Sequence, residues 1–216
     1  MGIIIFFINL EKTTSFLSNN DTFLKMTKTK KKTIKKENKE PIIKIRADFF
    51  VDKVITENSN EARELYNQSR YGVLLDNGQL QLSLIEGFYL MEKGKLEVYK
   101  SKNKQIEFDV FAKKAKKIEP NFWIRYCVFK NMRNRGYIIK TALKFGADFR
   151  VYDRGVKPGE DHAKWIVYPV AEASSLTWHE FAGKNRVAHS TRKRLLLGVV
   201  DEENDVSYWE CRWMRP

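Results

Sequence analysis

The sequence predicts a mixed α/β protein with a small N-terminal α/β domain and a C-terminal domain whose mixed sheet is flanked by helices. Short strand patterns alternate with helical patterns from residue 41 onward. From Pro120 to the end, strands and helices alternate again, which predicts a sheet packed by two helices. A hydrophobic content of 43% and an aromatic content of 13% are sufficient for buried cores. We therefore divide the chain into residues 1–40, 41–117 and 118–216.

Residues 41–117 combine short strands with helices. Ala62, Leu65 and Tyr66 have helical spacing and predict a helix that Gly72 terminates. The turn at residues 76–78, Asp-Asn-Gly, is typical of a hairpin. The predicted strands lie around 42–45 and at 49–54, 73–75, 80–84 and 96–99, and the predicted helices at 58–70, 85–92 and 105–118.

Residues 118–216 begin with a helix that we expect to run from Pro120, in its first turn, to Arg135. Its apolar side chains recur on one face, at Phe122, Tyr126, Phe129 and Met132. The spacing of Thr177 and Glu180 is that of a capping box and predicts the start of a second helix. The predicted strands lie at 137–141, 143–152, 165–170, 195–200 and 206–213.

Residues 1–40 have a composition unlike the rest of the chain. The apolar run at 2–10 is far shorter than the roughly 20 residues of a membrane helix, and it lacks the basic flank of a signal peptide. Residues 28–40 hold seven lysines and two glutamates, a net charge of +5. We expect residues 1–25 to be a disordered leader or an over-extended reading frame before Met26, and the lysine-rich arm to be disordered and to add RNA affinity.

The net charge of +13 favours a polyanionic partner. The chain has two cysteines, Cys127 and Cys211, without metal-ligand spacing. We expect both to be buried free thiols, in a protein of the reducing cytoplasm.

Three residues between 149 and 194 have side chains suited to cleaving RNA: Tyr152, His162 and Lys193. RNA carries its own nucleophile, the 2′-hydroxyl, so the reaction does not require a metal or another cofactor. One group must accept the proton of that hydroxyl, a second must protonate the leaving 5′-oxygen, and a cation should face the charge that develops on phosphorus. Histidine suits the acid role because it titrates near neutrality, and lysine suits the role of the cation.

A tyrosine is an awkward general base because its unperturbed pKa is about 10. Cations close to Tyr152 would lower that pKa. The sequence offers four candidates for this effect: Arg150, Arg154, Lys193 and Arg194.

Several segments resemble archaeal tRNA-splicing endonucleases: FRVYDRG, GEDH, HEFAGKNRVAHSTRKRLLLGVVD and DVSYWECRW in the catalytic domain, and YGVLLDNGQLQLSLIEGFYLMEKGKLEVY in the N-terminal domain. The resemblance implies a restriction-endonuclease-like catalytic domain. It also implies that Tyr152 is the general base, His162 the general acid and Lys193 the transition-state stabiliser. Cleavage would then need no metal and would leave a 2′,3′-cyclic phosphate and a 5′-hydroxyl.

The same resemblance implies a precursor tRNA substrate with a bulge–helix–bulge, and an assembly of four subunits. Arg186 and Arg212 would stack on a flipped bulge base across a dimer, Arg212 being the less firmly aligned of the two. The last strands would pair about a two-fold axis, and an acidic loop would insert into a basic groove of another subunit. That loop holds Asp201, Glu202, Glu203 and Asp205. The resemblance is compatible with an assembly of four identical subunits and with an assembly of two types of subunit.

Other interpretations of these residues remain. Each of the three can be an ordinary packing or surface residue, and His179 and His189 compete with His162 for the acid role. A metal-dependent nuclease would have to use Glu160, Asp161 and Lys164, whose spacing is poor for such a site. A non-catalytic RNA-binding or structural subunit would bind bulged RNA without cleaving it.

Overall fold

A computed structural model describes residues 44–100, 104–142 and 146–212 of the chain. The predicted leader, the lysine-rich arm and the strand residues Ile42 and Ile43 lie outside these ranges. Within them the chain forms a mixed α/β structure of two mixed sheets and five helices. No helix in these ranges is long and apolar enough to cross a membrane.

The N-terminal sheet has the strand order β3-β4-β2-β1-β5-β6. Only β1 and β5 pair in parallel, and the other neighbours are antiparallel. The strands are β1 (Ile45–Phe49), β2 (Lys53–Thr56), β3 (Val73–Leu74), β4 (Leu80–Ser83), β5 (Leu96–Lys100) and β6 (Lys104–Gln105). The helices are α1 (Asn60–Ser69), α2 (Leu84–Glu92) and α3 (Phe108–Ile118).

The C-terminal sheet has the order β11-β10-β9-β8-β7. The pair β9 and β10 is parallel, and the other pairs are antiparallel. Its strands are β7 (Ile139–Ala142), β8 (Ala147–Val151), β9 (Trp165–Ala171), β10 (Arg194–Val200) and β11 (Val206–Cys211). Its helices are α4 (Phe122–Asn134) and α5 (Trp178–Ser190).

Helices α4 and α5 cover opposite faces of the C-terminal sheet, as the pattern predicts. The predicted apolar face of α4 is buried, at Phe122, Tyr126, Phe129 and Met132. It joins the N-terminal core through α2, so one hydrophobic cluster extends across both sheets. Phe181 of α5 belongs to a smaller cluster on the other face. Packing through α4 therefore anchors the sheet to the N-terminal domain.

Local chemistry explains most element boundaries, and the capping box predicted at Thr177 is confirmed. A second capping box, Ser83 with Glu86, starts α2. Gly72 has φ of +57°, and a Cβ atom there would lie 2.3 Å from the Gln81 carbonyl oxygen, so only glycine fits. The capping boxes thus define where α2 and α5 begin, and Gly72 defines the turn before β3.

Three boundary predictions are wrong. The strand predicted at 49–54 is interrupted, because Phe50 donates its backbone N–H to the Lys53 carbonyl in a turn. Pro120 lies before α4 rather than in its first turn, since Asn121, with φ of +59°, is the N-cap residue. Strand β6 was not predicted, because two polar residues carry no periodicity.

Candidate active site

Three strand ends meet at one edge of the C-terminal sheet. Val151, the last residue of β8, pairs with Trp165, the first residue of β9. Trp165 also pairs with Arg194, the first residue of β10. Tyr152 follows β8 directly and Lys193 precedes β10 directly, so the topology brings both to this edge. The loop that carries His162 enters β9 at the same place, so the topology brings the three segments that hold the predicted residues to this edge.

Tyr152 is buried at the end of β8, where its backbone N–H donates to the Ile138 carbonyl at 2.9 Å. Of the four cations proposed to act on its ring, Arg150 is placed over it, with the guanidinium carbon 5.9 Å from the ring centroid. Arg154 instead lies 4.8 Å from the Tyr137 ring. Arg150 is therefore the residue that brings a positive charge to Tyr152 from the same strand.

Lys193 lies close to the same arginine. Burial, together with the neighbouring charge of Arg150, lowers the pKa of the Lys193 amine. Its Nζ atom donates to the Thr191 carbonyl at 2.8 Å. The side chain also lines a cavity of about 210 Å³ with Arg212 and with His189, a residue interpreted from sequence as structural. Arg150 therefore lies close to both Tyr152 and Lys193. This proximity depends on how the strands pair and cannot be predicted from the local sequence.

His162 is exposed in the loop between β8 and β9. An ion pair between Asp153 and Lys164 closes the base of this loop. Within it, the His162 backbone N–H donates to an Asp161 carboxylate oxygen at 2.6 Å. This arrangement ties down the backbone at His162 and leaves its imidazole accessible to a ligand at the sheet edge.

The two carboxylates of the alternative metal site each accept a backbone N–H of their own loop. Glu160 accepts the Lys157 backbone N–H at 3.1 Å, and Asp161 accepts that of His162. Across the described part of the chain, no group of three or more His, Cys, Asp or Glu side chains is arranged to hold a metal ion.

The two predicted RNA-binding arginines have different surroundings. Arg186 is exposed on α5. The Nε atom of Arg212 is ion-paired with Glu210, a buried carboxylate that follows the Tyr-Trp pair in β11. Sequence reasoning missed Glu210, because a single acid in a strand of alternating pattern gives no signal of its own. His179 is exposed in the first turn of α5.

The acidic loop between β10 and β11 has a defined shape. The backbone N–H of Asp201 donates to the Asp205 carbonyl at 3.1 Å, and the backbone N–H of Asp205 donates to the Asp201 carboxylate at 2.8 Å. Asn204 adopts φ of +69°, and its side-chain oxygen accepts the indole N–H of Trp123. Because Glu202 and Glu203 are exposed, the loop presents its carboxylates outward on a hairpin anchored to α4.

A basic groove opens between the two sheets. This cavity of about 590 Å³ is lined by five basic and three acidic side chains. The buried Nε atoms of Arg70 and Arg150 have no hydrogen-bond partner. The basic lining residues are Lys53, Arg70, Arg125, Lys140 and Arg150. The groove therefore has unused donors and an excess of positive charge.

Comparison with known proteins finds domains of one family in both halves of the chain. Residues 45–112 match the family described as tRNA intron endonuclease, N-terminal domain, and residues 122–208 match tRNA intron endonuclease, catalytic C-terminal domain. A tRNA-splicing endonuclease of Nanoarchaeum equitans is 47% identical over 150 residues, 67% of this chain and 94% of that protein. Proteins of the same name from Thermococcus onnurineus and Methanothermobacter thermautotrophicus are 40% and 38% identical, over 76% of this chain in each case and 93% and 95% of their own lengths.

Proposed function

The chain belongs to the tRNA intron endonuclease family, and we propose that it cuts precursor tRNA at both intron boundaries without a metal ion. The substrate element would be a bulge–helix–bulge, whose unpaired bases are accessible to side chains. The reaction is an internal transesterification. The 2′-oxygen attacks phosphorus, the 5′-oxygen leaves, and the products end in a 2′,3′-cyclic phosphate and a 5′-hydroxyl.

Tyr152, His162 and Lys193 each have one role in this reaction. The Tyr152 oxygen accepts the proton of the 2′-hydroxyl, helped by the positive charge of Arg150 beside its ring. The exposed imidazole of His162 donates a proton to the departing 5′-oxygen. The Lys193 ammonium stabilises the negative charge that grows on the phosphoryl oxygens.

One observation carries this proposal: the register of β8, β9 and β10 brings the three residues to one sheet edge although 41 positions separate the first from the last. A second observation supports the role of Tyr152, since the guanidinium carbon of Arg150 lies 5.9 Å from the centroid of its ring.

We further infer that the active form contains four copies of this chain. The acidic loop and the basic groove are complementary in charge and lie on the same polypeptide, so one copy can insert its loop into the groove of another. The groove has five basic and three acidic lining residues, and this excess of positive charge favours the incoming carboxylates. Strand β11 is the edge of its sheet and is available to pair with a second β11. We expect the assembly to act in the cytoplasm.

The direct experiment is to incubate the purified chain with an intron-containing precursor tRNA in EDTA and to analyse the new ends. We expect two cuts, cyclic phosphate at one end and 5′-hydroxyl at the other. Cleavage that requires magnesium would refute the metal-independent mechanism. Tight binding without cleavage, followed by cleavage after a second protein is added, would refute the assembly of identical copies.

A further inference from the structure

Glu210 is the buried acid at the end of β11, and it contacts three other side chains at the sheet edge. Its Oε2 atom accepts the indole N–H of Trp165 at 2.7 Å. Its Oε1 atom pairs with Nε of Arg212 and lies 3.4 Å from Nη1 of Arg194. Burial acts to raise the pKa of Glu210, but the hydrogen bonds from Trp165 and Arg212 and the charge of Arg194 outweigh it, so the pKa is lowered.

The geometry points to Glu210 as a positioning residue that holds the guanidinium plane of Arg212 in the orientation for stacking on an unpaired RNA base. This inference rests on the proposed role of Arg212 in binding the substrate. A hydrogen bond through Nε lies in the plane of the guanidinium group. It therefore fixes the direction of that plane without covering either face, and faces are what an unpaired base stacks on.

The anchoring of Glu210 distinguishes this pair from an ordinary surface ion pair. Surface pairs between two mobile side chains hold neither partner firmly. Here the Glu210 side chain is 9% exposed and is fixed by an indole N–H, whereas the Arg212 side chain is 45% exposed. A fixed, buried acceptor with an exposed donor is the arrangement that orients the donor towards solvent.

The pairing of β9 with β10 also determines which part of the sheet Glu210 and Arg212 are fixed to. Trp165 pairs with Arg194, which directly follows Lys193. Glu210 therefore fixes Arg212 relative to the strand ends that carry the catalytic trio, rather than relative to a loop. Arg212 and the catalytic trio of one copy thus share one rigid support, so a base stacked on Arg212 is held at a set position relative to that sheet.

A double-mutant cycle tests this inference, with the variants Glu210→Gln, Arg212→Ala and the pair together. Glutamine keeps an oxygen for Trp165 but removes the charge that pairs with Arg212. We expect Glu210→Gln to raise KM for precursor tRNA about ten-fold and to leave kcat within about two-fold. The double variant should be no worse than Arg212→Ala alone, because Glu210 acts only through that arginine. Glu172→Gln, the same change at an exposed acid in the turn after β9, should behave as the parent protein.

The outcomes separate this inference from the proposed function. If Arg212→Ala cleaves with unchanged KM, the role proposed for Arg212 is wrong. If Arg212→Ala raises KM but Glu210→Gln does not, or if the two effects multiply in the double variant, Glu210 does not position Arg212. Thermal unfolding of each variant, with kinetics measured well below the lowest Tm, keeps loss of fold apart from loss of orientation.

Discussion

Glu86 lies where the two domains meet, and its buried contacts allow a quantitative test of how much they contribute to the stability of the fold. Glu86 is buried in α2 and accepts three hydrogen bonds. It accepts the backbone N–H groups of Gly72 and Ser83, at 2.9 and 3.0 Å, and the Ser83 hydroxyl at 3.0 Å. Lys140, which belongs to the C-terminal sheet, lies 3.7 Å away. The perturbation is Glu86→Gln, which preserves shape and removes charge.

The cost follows from these contacts. A glutamine offers one oxygen, so either Gly72 or Ser83 faces an amide NH₂ group and loses its acceptor. An unsatisfied buried donor costs about 1–3 kcal/mol. Lys140 loses its counter-charge in a site whose burial already lowers the pKa of its amine, which adds to that cost. We expect a total near 3 kcal/mol, and hence a decrease of about 6–12 °C in Tm for a chain of this size.

Glu180→Gln is the matched control for this measurement. Glu180 occupies the same capping-box position in α5, accepting the Thr177 backbone N–H at 2.9 Å and its hydroxyl at 2.7 Å, but it is exposed. Both variants make the same change in the same local cap, where glutamine can still accept the N-cap hydrogen bond, so their difference in Tm by calorimetry isolates the buried contact. Equal decreases for Glu86→Gln and Glu180→Gln would refute the reasoning.

Three further predictions concern the site and the assembly. Replacing His162 by alanine should slow single-turnover cleavage by about 10²–10⁴ with RNA binding retained, as loss of a general acid does, and an unchanged rate would refute its role. Because burial and Arg150 lower the pKa of Lys193, its charge is lost at a lower pH than that of an ordinary lysine. Arg150→Gln removes one of these causes, so the alkaline fall in cleavage rate should move to higher pH; a fall at the same pH would contradict it. Asn204→Gly keeps the left-handed backbone but loses the bond from Trp123, so it should weaken subunit association in sedimentation, whereas Asn204→Asp, which keeps an acceptor, should not.

Local chemistry made much of the fold predictable. The Thr177 capping box, the apolar face of α4 and the alternating strands depend on residues within a few positions of each other, and each was confirmed. The two cysteines are free and buried, as expected. Errors arose where short-range patterns are ambiguous: a turn interrupts the apolar run after Phe49, and a left-handed Asn121 starts the helix that Pro120 suggested.

The site was predictable in its residues but not in its arrangement. The family resemblance identified Tyr152, His162 and Lys193 as candidates, yet nothing local distinguishes Arg150 from the other nearby cations. Arg150 lies close to Tyr152 and Lys193 because of the pairing of β8, β9 and β10, and the local sequence does not specify that pairing. The resemblance implied a basic groove, but the residues that line it were missed, as was Glu210, because their partners come from segments far apart in the chain.

The most direct test of the central claim uses a precursor tRNA in which sulfur replaces the leaving 5′-oxygen at the cut site. A thiolate leaves without being protonated, so the general acid becomes dispensable. We expect His162→Ala to be slow on the oxygen substrate and to recover nearly the parent rate on the sulfur substrate, while Lys193→Ala stays slow on both. His189→Ala, the rival acid beside Lys193, and His179→Ala should show no such selective recovery. If His162→Ala is equally slow on both substrates, or if His189→Ala is the variant that sulfur rescues, His162 is not the general acid of this enzyme.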